Sequence, residues 1–503
     1  MPEESYRLTN LDASFLYQES AVSQMHGGMI FFVRGELPFE KFYRHVQGRL
    51  HITRRYRQRL VFPPFNLAHP TLEDDPDFKL ENHVQCRQLP AGISEADAVH
   101  EIIRYNNSRV LNRERPLWCM TLFEGMPGRS MVLFEMHHAL VDGVSGFDLM
   151  NRLMDFTPNA QPAEVLPEEP QKPPPSLPST SETYLRALRD VLVEQVDSAT
   201  RNTLQFMRDP MGAVQQAQET ATAMRLLAES MQRPAVATPW NSGIVTQERS
   251  AAWMKFPFAD FRAMRNAFGG TINDLVLTLL SEGAARYLKE HGWPTDGELR
   301  IGCPVNVRRS GEQVTLENRV SIMMPMMPAR PMDVIERLHL ISAATKRIKE
   351  AGLPYAVEQL TSTNQMPPAI AAAMGRLSAQ QMETTVQFVK AINWKPSPSG
   401  PYMPVTGINF MATNVPGPQT AWYLAGHEVT EWVCAIPLAG NLGLGVVITS
   451  YNQELFISLT AEPRMLPDVD RLKVLIEEAF EEMRRRLPKE PPAYQRVAAA
   501  AAG

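Results

Sequence analysis

Eight prolines fall between Pro158 and Pro178. Each fixes a backbone dihedral and removes an amide donor, so neither a helix interior nor a central strand can run through this stretch. The chain is therefore expected to fold as separate bodies on either side of it. Its 503 residues suffice for two or three domains. The expected division is a first lobe over 1–157, a proline-rich and helical connection over 158–243, a second lobe over 244–490, and a tail over 491–503.

Both lobes mix strands and helices. Strands are expected at 29–33 and 130–136 in the first, and at 299–307, 319–326, 407–412 and 442–450 in the second. Asn452-Gln453 should turn the last of these into a hairpin with 454–460. Helices are expected at 271–291 and 467–487. In the connection, Leu185, Leu188, Leu192, Val196 and Ala199 recur at helical spacing, so helices are expected at 181–208 and 211–231. The fold class is thus α/β, two lobes with mixed sheets, and a ligand site between them.

Composition excludes several functions. A net charge of -5 argues against nucleic acid as a partner. Cys86, Cys119, Cys303 and Cys434 are scattered and form no CxxC pair, so neither a disulfide framework nor a cysteine metal site is expected. The N-terminus, Met-Pro-Glu-Glu-Ser, lacks the pattern of a signal peptide, and no apolar run of about 18 residues could span a bilayer. A peripheral position on a membrane remains compatible with the sequence.

The most informative segment runs Met131-Val132-Leu133-Phe134-Glu135-Met136-His137-His138-Ala139-Leu140-Val141-Asp142-Gly143. An apolar strand feeds into two histidines, with Asp142 and Gly143 closing the loop before a helix near Val144. A histidine at a strand end can face a cavity and accept a proton at neutral pH. Three other readings stand beside this one. The histidine pair can be structural, it can ligate a metal, or Asp142 can simply cap the helix. The metal reading lacks a further ligand nearby in sequence, so no metal is expected.

The pattern His-His-x-x-x-Asp-Gly after an apolar strand resembles the signature of the coenzyme A-dependent acyltransferase superfamily. That group includes chloramphenicol acetyltransferase, carnitine acyltransferases and peptide-synthetase condensation domains. Further segments narrow the likeness: 11–16 (Leu-Asp-Ala-Ser-Phe-Leu), Met25-His26-Gly27-Gly28, Pro116-Leu117-Trp118, Asn273-Asp274-Leu275, Asn414-Val415-Pro416-Gly417-Pro418, and 445–452. In order and spacing they resemble the bacterial wax ester synthase/diacylglycerol acyltransferase family over about residues 8–470. Thr413 stands where family members commonly carry serine, which keeps the hydroxyl.

The resemblance implies two chloramphenicol-acetyltransferase-like lobes. It implies direct transfer of a long-chain acyl group from acyl-coenzyme A, a substrate and not a cofactor, to a fatty alcohol or diacylglycerol. His138 would be the general base, with His137 mainly structural and turned away from it by strand alternation. No Gly-x-Ser-x-Gly elbow suggests an acyl-enzyme. Asp142 would pair with an arginine, for which Arg308 is the candidate, and Gly143 would serve the backbone. Asn273 could donate to the oxyanion or line the acyl path, while Asp274 completes a capping box with Thr271. Asn414, Pro416 and Gly417 would support the site structurally, with Pro416, Gly417 and Pro418 setting a turn, and Trp118 belongs to the core. Gly27 and Gly28 permit either close approach to a substrate or a strand-entry turn. A membrane surface or lipid body on the cytoplasmic side is the expected location, with helices in 181–231 as a candidate contact. A carrier-protein thioester as donor, or a non-catalytic lipid-binding relative, are the alternatives.

Overall fold

The computed structural model describes residues 6–140, 143–160, 177–189, 232–306, 320–354, 367–399 and 407–488, with isolated positions between 190 and 231. Side chains of 143–145, 306 and 320 are outside the described set. Most of the proline-rich stretch, most of 190–231 and the tail from 489 lie outside the described residues.

The first half opens with β1 (Tyr6–Arg7), α1 (Asn10–Gln18), β2 (His26–Arg34), α2 (Phe39–Gln47), β3 (Gln58–Val61), β4 (Thr71–Asp74) and β5 (Val84–Gln88). It continues with α3 (Glu95–Asn107), β6 (Trp118–Glu124), β7 (Arg129–His137) and α4 (Gly143–Leu153). After a helical stretch at 180–189 come β8 (Ser250–Pro257), α5 (Phe258–Phe268), α6 (Ile272–Glu290), β9 (Glu298–Asn306), β10 (Val320–Met323) and β11 (Met326–Pro328). The chain finishes through α7 (Val334–Glu350), α8 (Pro368–Ala391), β12 (Phe410–Pro416), β13 (Tyr423–Leu424), β14 (His427–Ala435), β15 (Leu444–Tyr451), β16 (Glu454–Ala461) and α9 (Val469–Arg485).

Two large mixed sheets result. The first has the order β13-β14-β2-β7-β6-β5, and the second β10-β9-β12-β15-β16-β8, with β11 also on β9. β1, β4 and β3 form a small third sheet. The first sheet is not built from 1–157 alone: β14 pairs with β2 along residues 429–435. The division at 244 thus cuts across a sheet, because long-range strand pairing leaves no mark in local sequence. β14 also bridges the two sheets. Trp432 Nε1 donates to Thr449 Oγ1 at 2.7 Å, and the Cys434 amide donates to Ser458 Oγ at 3.0 Å. Trp422, Trp432 and Tyr451 pack with Phe31 and Phe147 in one aromatic cluster. Each fully buried large apolar side chain contributes on the order of 1.5–3 kcal/mol.

Local chemistry explains most boundaries. Asn452 and Gln453 both take positive φ, the mirror-type turn that matches strand twist in a two-residue hairpin. The strand expected over 319–326 breaks into β10 and β11 at Met324-Pro325. Pro325 has no amide for the ladder, and its carbonyl accepts from Ile301. β12 starts later than expected because the Asn409 side chain is drawn inward, accepting from the Arg300 amide and donating to Asn241 and the Val236 carbonyl. It then continues to Pro416, where the turn expected at Pro416, Gly417 and Pro418 begins.

Candidate active site

Strand β7 delivers the two histidines. Its register with β2 sets His26 opposite His137 and Gly27 opposite Met136. Successive side chains leave opposite faces of a strand. Leu133 packs in the layer against α3, whereas Phe134 and Met136 belong to the layer on the other face. His137 shares a face with Leu133 and Glu135, and His138 turns the other way, as alternation requires.

His138 opens the turn after β7 and is half-buried. Its amide donates to the Met25 carbonyl at 2.9 Å. Its imidazole stacks on Phe15, with ring centroids 5.3 Å apart and planes at 28°. Phe15 is carried on α1, whose start is fixed by a capping box between Thr9 and Asp12. On another side lies Gly27, where a Cβ would stand 3.8 Å from His138 Nε2 and 3.6 Å from the Ala435 carbonyl oxygen. A methyl group there would make only ordinary contacts, but one of them would be with Nε2. Gly28 has a different job: a Cβ there would meet Asn106 Oδ1 at 2.7 Å. Its hydrogen lets β2 pack against α3.

His137 is fully buried. Its Nδ1 accepts from the Ala139 amide at 3.0 Å, so the ring N–H is at Nε2. That nitrogen lies 3.3 Å from Glu19 Oε1, a long contact. Glu19 also accepts from the Met25 amide at 3.2 Å and from Arg113 at 3.0 Å. Burial by itself would push the Glu19 carboxyl up, but His137, Arg113 and the Met25 amide outweigh it and hold it down at about 2. The His137 amide donates to the Leu117 carbonyl, so the Pro116-Leu117-Trp118 segment braces the end of β7. Trp118 is core, its Nε1 donating to the Tyr56 carbonyl at 2.8 Å.

Further along the same face, Glu135 is held by two 2.8 Å bonds from Arg109. Burial still pushes its carboxyl above the usual carboxylate range. His26 donates to the Asn106 carbonyl at 2.9 Å, and burial pushes its imidazole down to about 4.

Asn273 and Asn414 form a second constellation. Asn273 lies in the first turn of α6, and Asn414 in the middle of β12. Asn414 Nδ2 donates to Asn273 Oδ1 at 3.2 Å, which leaves the Asn273 amide nitrogen to donate elsewhere. Asp274 is the cap that the sequence implied. It accepts from the Thr271 amide at 2.9 Å, its own amide donates to the Thr271 hydroxyl, and Thr345 bonds its other oxygen at 2.8 Å. Pro416 ends β12, and a Cβ on Gly417 would lie 2.4 Å from the Ser450 carbonyl oxygen, so only glycine fits there.

Gly143 begins α4. Asp142 and Arg308 lie outside the described residues, so their pairing is not among the contacts seen. Among the described residues, no group of three His, Cys, Asp or Glu is placed to hold a metal ion.

Sequence comparison gives this geometry a family. The wax ester synthase/diacylglycerol acyltransferase catalytic domain matches residues 8–276, and the family's C-terminal domain matches 316–484. The chain belongs to the wax ester synthase/diacylglycerol acyltransferase family. It is an acyltransferase. A "probable diacylglycerol O-acyltransferase" of Mycobacterium tuberculosis is 27% identical over 485 residues, covering 94% of each chain. A Mycobacterium bovis protein with a diacylglycerol O-acyltransferase name matches to the same 27% over 485 residues. Among solved structures, the wax ester synthase/diacylglycerol acyltransferase of Marinobacter aquaeolei superposes with a TM-score of 0.60 at 20% identity, covering 95% of this chain and 98% of that one. The first condensation domain of the calcium-dependent antibiotic synthetase gives 0.56 at 14% identity, covering 97% and 98%. The fold is therefore the two-lobed one of coenzyme A-dependent acyltransferases and condensation domains. His138 and Asn273 fall in the family's catalytic domain, Asn414 and Gly417 in its C-terminal domain.

Sequence alone did not single out Glu19 or Arg113, and gave Phe15 no role. Glu19 follows the 11–16 segment by three residues. A lone carboxylate just past a helix end nevertheless reads as a solvated charge, and only tertiary packing buries it.

The contrast between the glycines is testable. Gly27→Ala introduces only ordinary contacts and should fold normally. If Nε2 takes the hydroxyl proton, a methyl 3.8 Å from it crowds that approach and kcat/KM should fall on the order of tenfold. Gly28→Ala should instead lower the melting temperature. Steady-state kinetics and a thermal melt on both variants separate the two roles.

Proposed function

We propose that this acyltransferase moves a long-chain acyl group from acyl-coenzyme A to a fatty alcohol or diacylglycerol, giving a wax ester or triacylglycerol. His138 accepts the hydroxyl proton as the oxygen attacks the thioester carbon. The tetrahedral oxyanion collapses, the carbon–sulfur bond breaks, and the proton passes to the departing thiolate. No acyl-enzyme forms and no cofactor or metal takes part. The observation that carries this reading is the setting of His138: a half-buried imidazole at a strand end, stacked on Phe15, with Gly27 beside its Nε2. Asn273, its oxygen occupied by Asn414, is the proposed oxyanion donor, and a neutral amide suits that task. Asp142 and Gly143 shape the loop, with Arg308 as the partner of Asp142.

The test is ester formation from palmitoyl-coenzyme A with hexadecanol and with dipalmitoylglycerol. Product from either acceptor supports the reading and ranks the acceptors. No product from either, from folded enzyme, moves the donor to a carrier-protein thioester.

The same reading places the enzyme at the cytoplasmic surface of a membrane or lipid body. No helix among the described residues is long and apolar enough to cross a bilayer. Support for surface contact comes from α8. Ile370, Met374, Leu377 and Phe388, with Ile392 just past its end, fall on one outward face, and each is more than half exposed. Its one acid, Glu383, faces the Ala21 amide, while Arg376 is exposed. Such a face suits the headgroup boundary of an anionic bilayer. Leu377→Asp with Phe388→Asp should weaken flotation with phosphatidylcholine/phosphatidylglycerol vesicles at least tenfold, since each buried side chain is worth about 1.5–3 kcal/mol. Unchanged flotation moves the contact away from α8.

A further inference from the structure

We propose that Glu19 is a positioning residue for His138, acting through two arms that end on its carboxylate. The proposal rests on His138 being the base. One arm runs through Met25. The Met25 amide donates to Glu19 Oε1 at 3.2 Å, and the Met25 carbonyl accepts the His138 amide at 2.9 Å. The other runs through the His137 ring, whose Nε2 faces Glu19 at 3.3 Å and whose Nδ1 accepts the Ala139 amide at 3.0 Å. The amide of His138 and the amide of the next residue are thus both fixed by groups that Glu19 holds.

A third connection closes the ring of contacts. Arg113 bonds Glu19 Oε2 at 3.0 Å and also donates to the Leu16 carbonyl at 2.6 Å. Leu16 lies on α1, the helix that sets Phe15 against the His138 imidazole. One carboxylate–guanidinium pair therefore ties the backbone of the base to the helix that steadies its ring. The Glu19 side chain is 2% exposed, so water competes little for these bonds.

Charge and direction both matter in this arrangement. The carboxylate accepts from an amide and a guanidinium and lies 3.3 Å from the His137 Nε2. Glutamine fills the same volume but brings an NH₂ group that must face one of them. Aspartate keeps the charge on a shorter arm. If Glu19 merely filled space, glutamine would be the better substitute. If it positions the base, aspartate is.

The experiment compares Glu19→Gln, Glu19→Asp and His138→Ala in the full-length chain, with palmitoyl-coenzyme A and the preferred acceptor. Glu19→Gln should lower kcat about 10–100-fold with both KM values within about twofold, because a misplacement of about 1 Å can cost 10²-fold. Its melt should stay within a few degrees of wild type, and Glu19→Asp should retain more kcat than Glu19→Gln. Wild-type kcat in Glu19→Gln overturns the proposal. So does a loss confined to KM, or one that follows the folded fraction. Should Glu19→Gln not fold, His137→Asn decides. It keeps an acceptor for the Ala139 amide but cannot reach Glu19; a fall in kcat with KM kept supports the proposal, and wild-type kcat overturns it. An active His138→Ala enzyme would instead remove the base itself, a separate failure.

Discussion

His138→Ala should lower kcat by about 10²–10⁴, the usual worth of a positioned general base. That corresponds to roughly 3–5 kcal/mol of lost transition-state stabilisation. The fold should survive. The ring is half-buried, and its removal breaks one stack against Phe15, an aromatic pair worth about 0.5–1.5 kcal/mol. The backbone bond from the His138 amide to Met25 does not involve the side chain and remains. Both KM values should change little, because the base acts on a proton that moves only in the transition state. Acid-quenched wild-type enzyme should carry no covalent acyl group. Turnover by folded His138→Ala within about threefold of wild type would show that another group takes the proton.

Acidification should be the other large effect. His26, His45 and His69 are each pushed down to about 4, in every case mainly by burial. Bonding explains why protonation is resisted. His45 Nε2 donates to the Leu153 carbonyl at 2.7 Å, while its Nδ1 accepts from Arg49 at 3.1 Å and from the Ala425 amide at 3.2 Å. His69 Nδ1 accepts from the Tyr17 hydroxyl at 3.1 Å, and its Nε2 meets Asn10. A second proton on His45 would face the Arg49 and Ala425 donors that Nδ1 now accepts from, with the Asp155 carboxylate 3.8 Å away. Above pH 6.5 these rings are neutral in both folded and unfolded chains. Between about 6.5 and 4 the unfolded chain binds protons that the fold refuses, so stability falls as pH falls. A tenfold change in proton affinity is worth about 1.36 kcal/mol, so each ring can withdraw on the order of 3 kcal/mol. Domains are stable by only about 5–15 kcal/mol. Thermal melts from pH 7.5 to 4.5 should show a steep loss beginning near pH 6.5, with His69→Gln flattening part of it. A flat profile down to pH 5 would mean that the rings are protonated within the fold.

Much of this was legible in the chain itself. The apolar residues from Met131 to Phe134, with Met136, specified β7, and Asn452-Gln453 specified the last hairpin, because both signals are local. Thr271 and Asp274 specified the start of α6 for the same reason, since a capping box closes within one turn. The His137-His138 pair and the Asn-Val-Pro-Gly-Pro segment marked the family. Strand alternation alone told which histidine turns away from the other.

Other features needed the folded chain. Nothing near residue 430 says that β14 completes a sheet begun by β2, since strand partners are chosen by tertiary packing. Gly27 and Gly28 are indistinguishable as letters, yet register puts one beside His138 Nε2 and the other against Asn106. Phe15 and His138, 123 positions apart, meet only because α1 lies against the end of β7. Glu19 looks like an ordinary surface acid until Arg113 and His137 close over it. The sequence by itself determined several elements, the family and the candidate base, because backbone preference and short motifs act over a few residues. Tertiary structure decided what surrounds that base, because burial and hydrogen-bond geometry arise only when distant segments pack together.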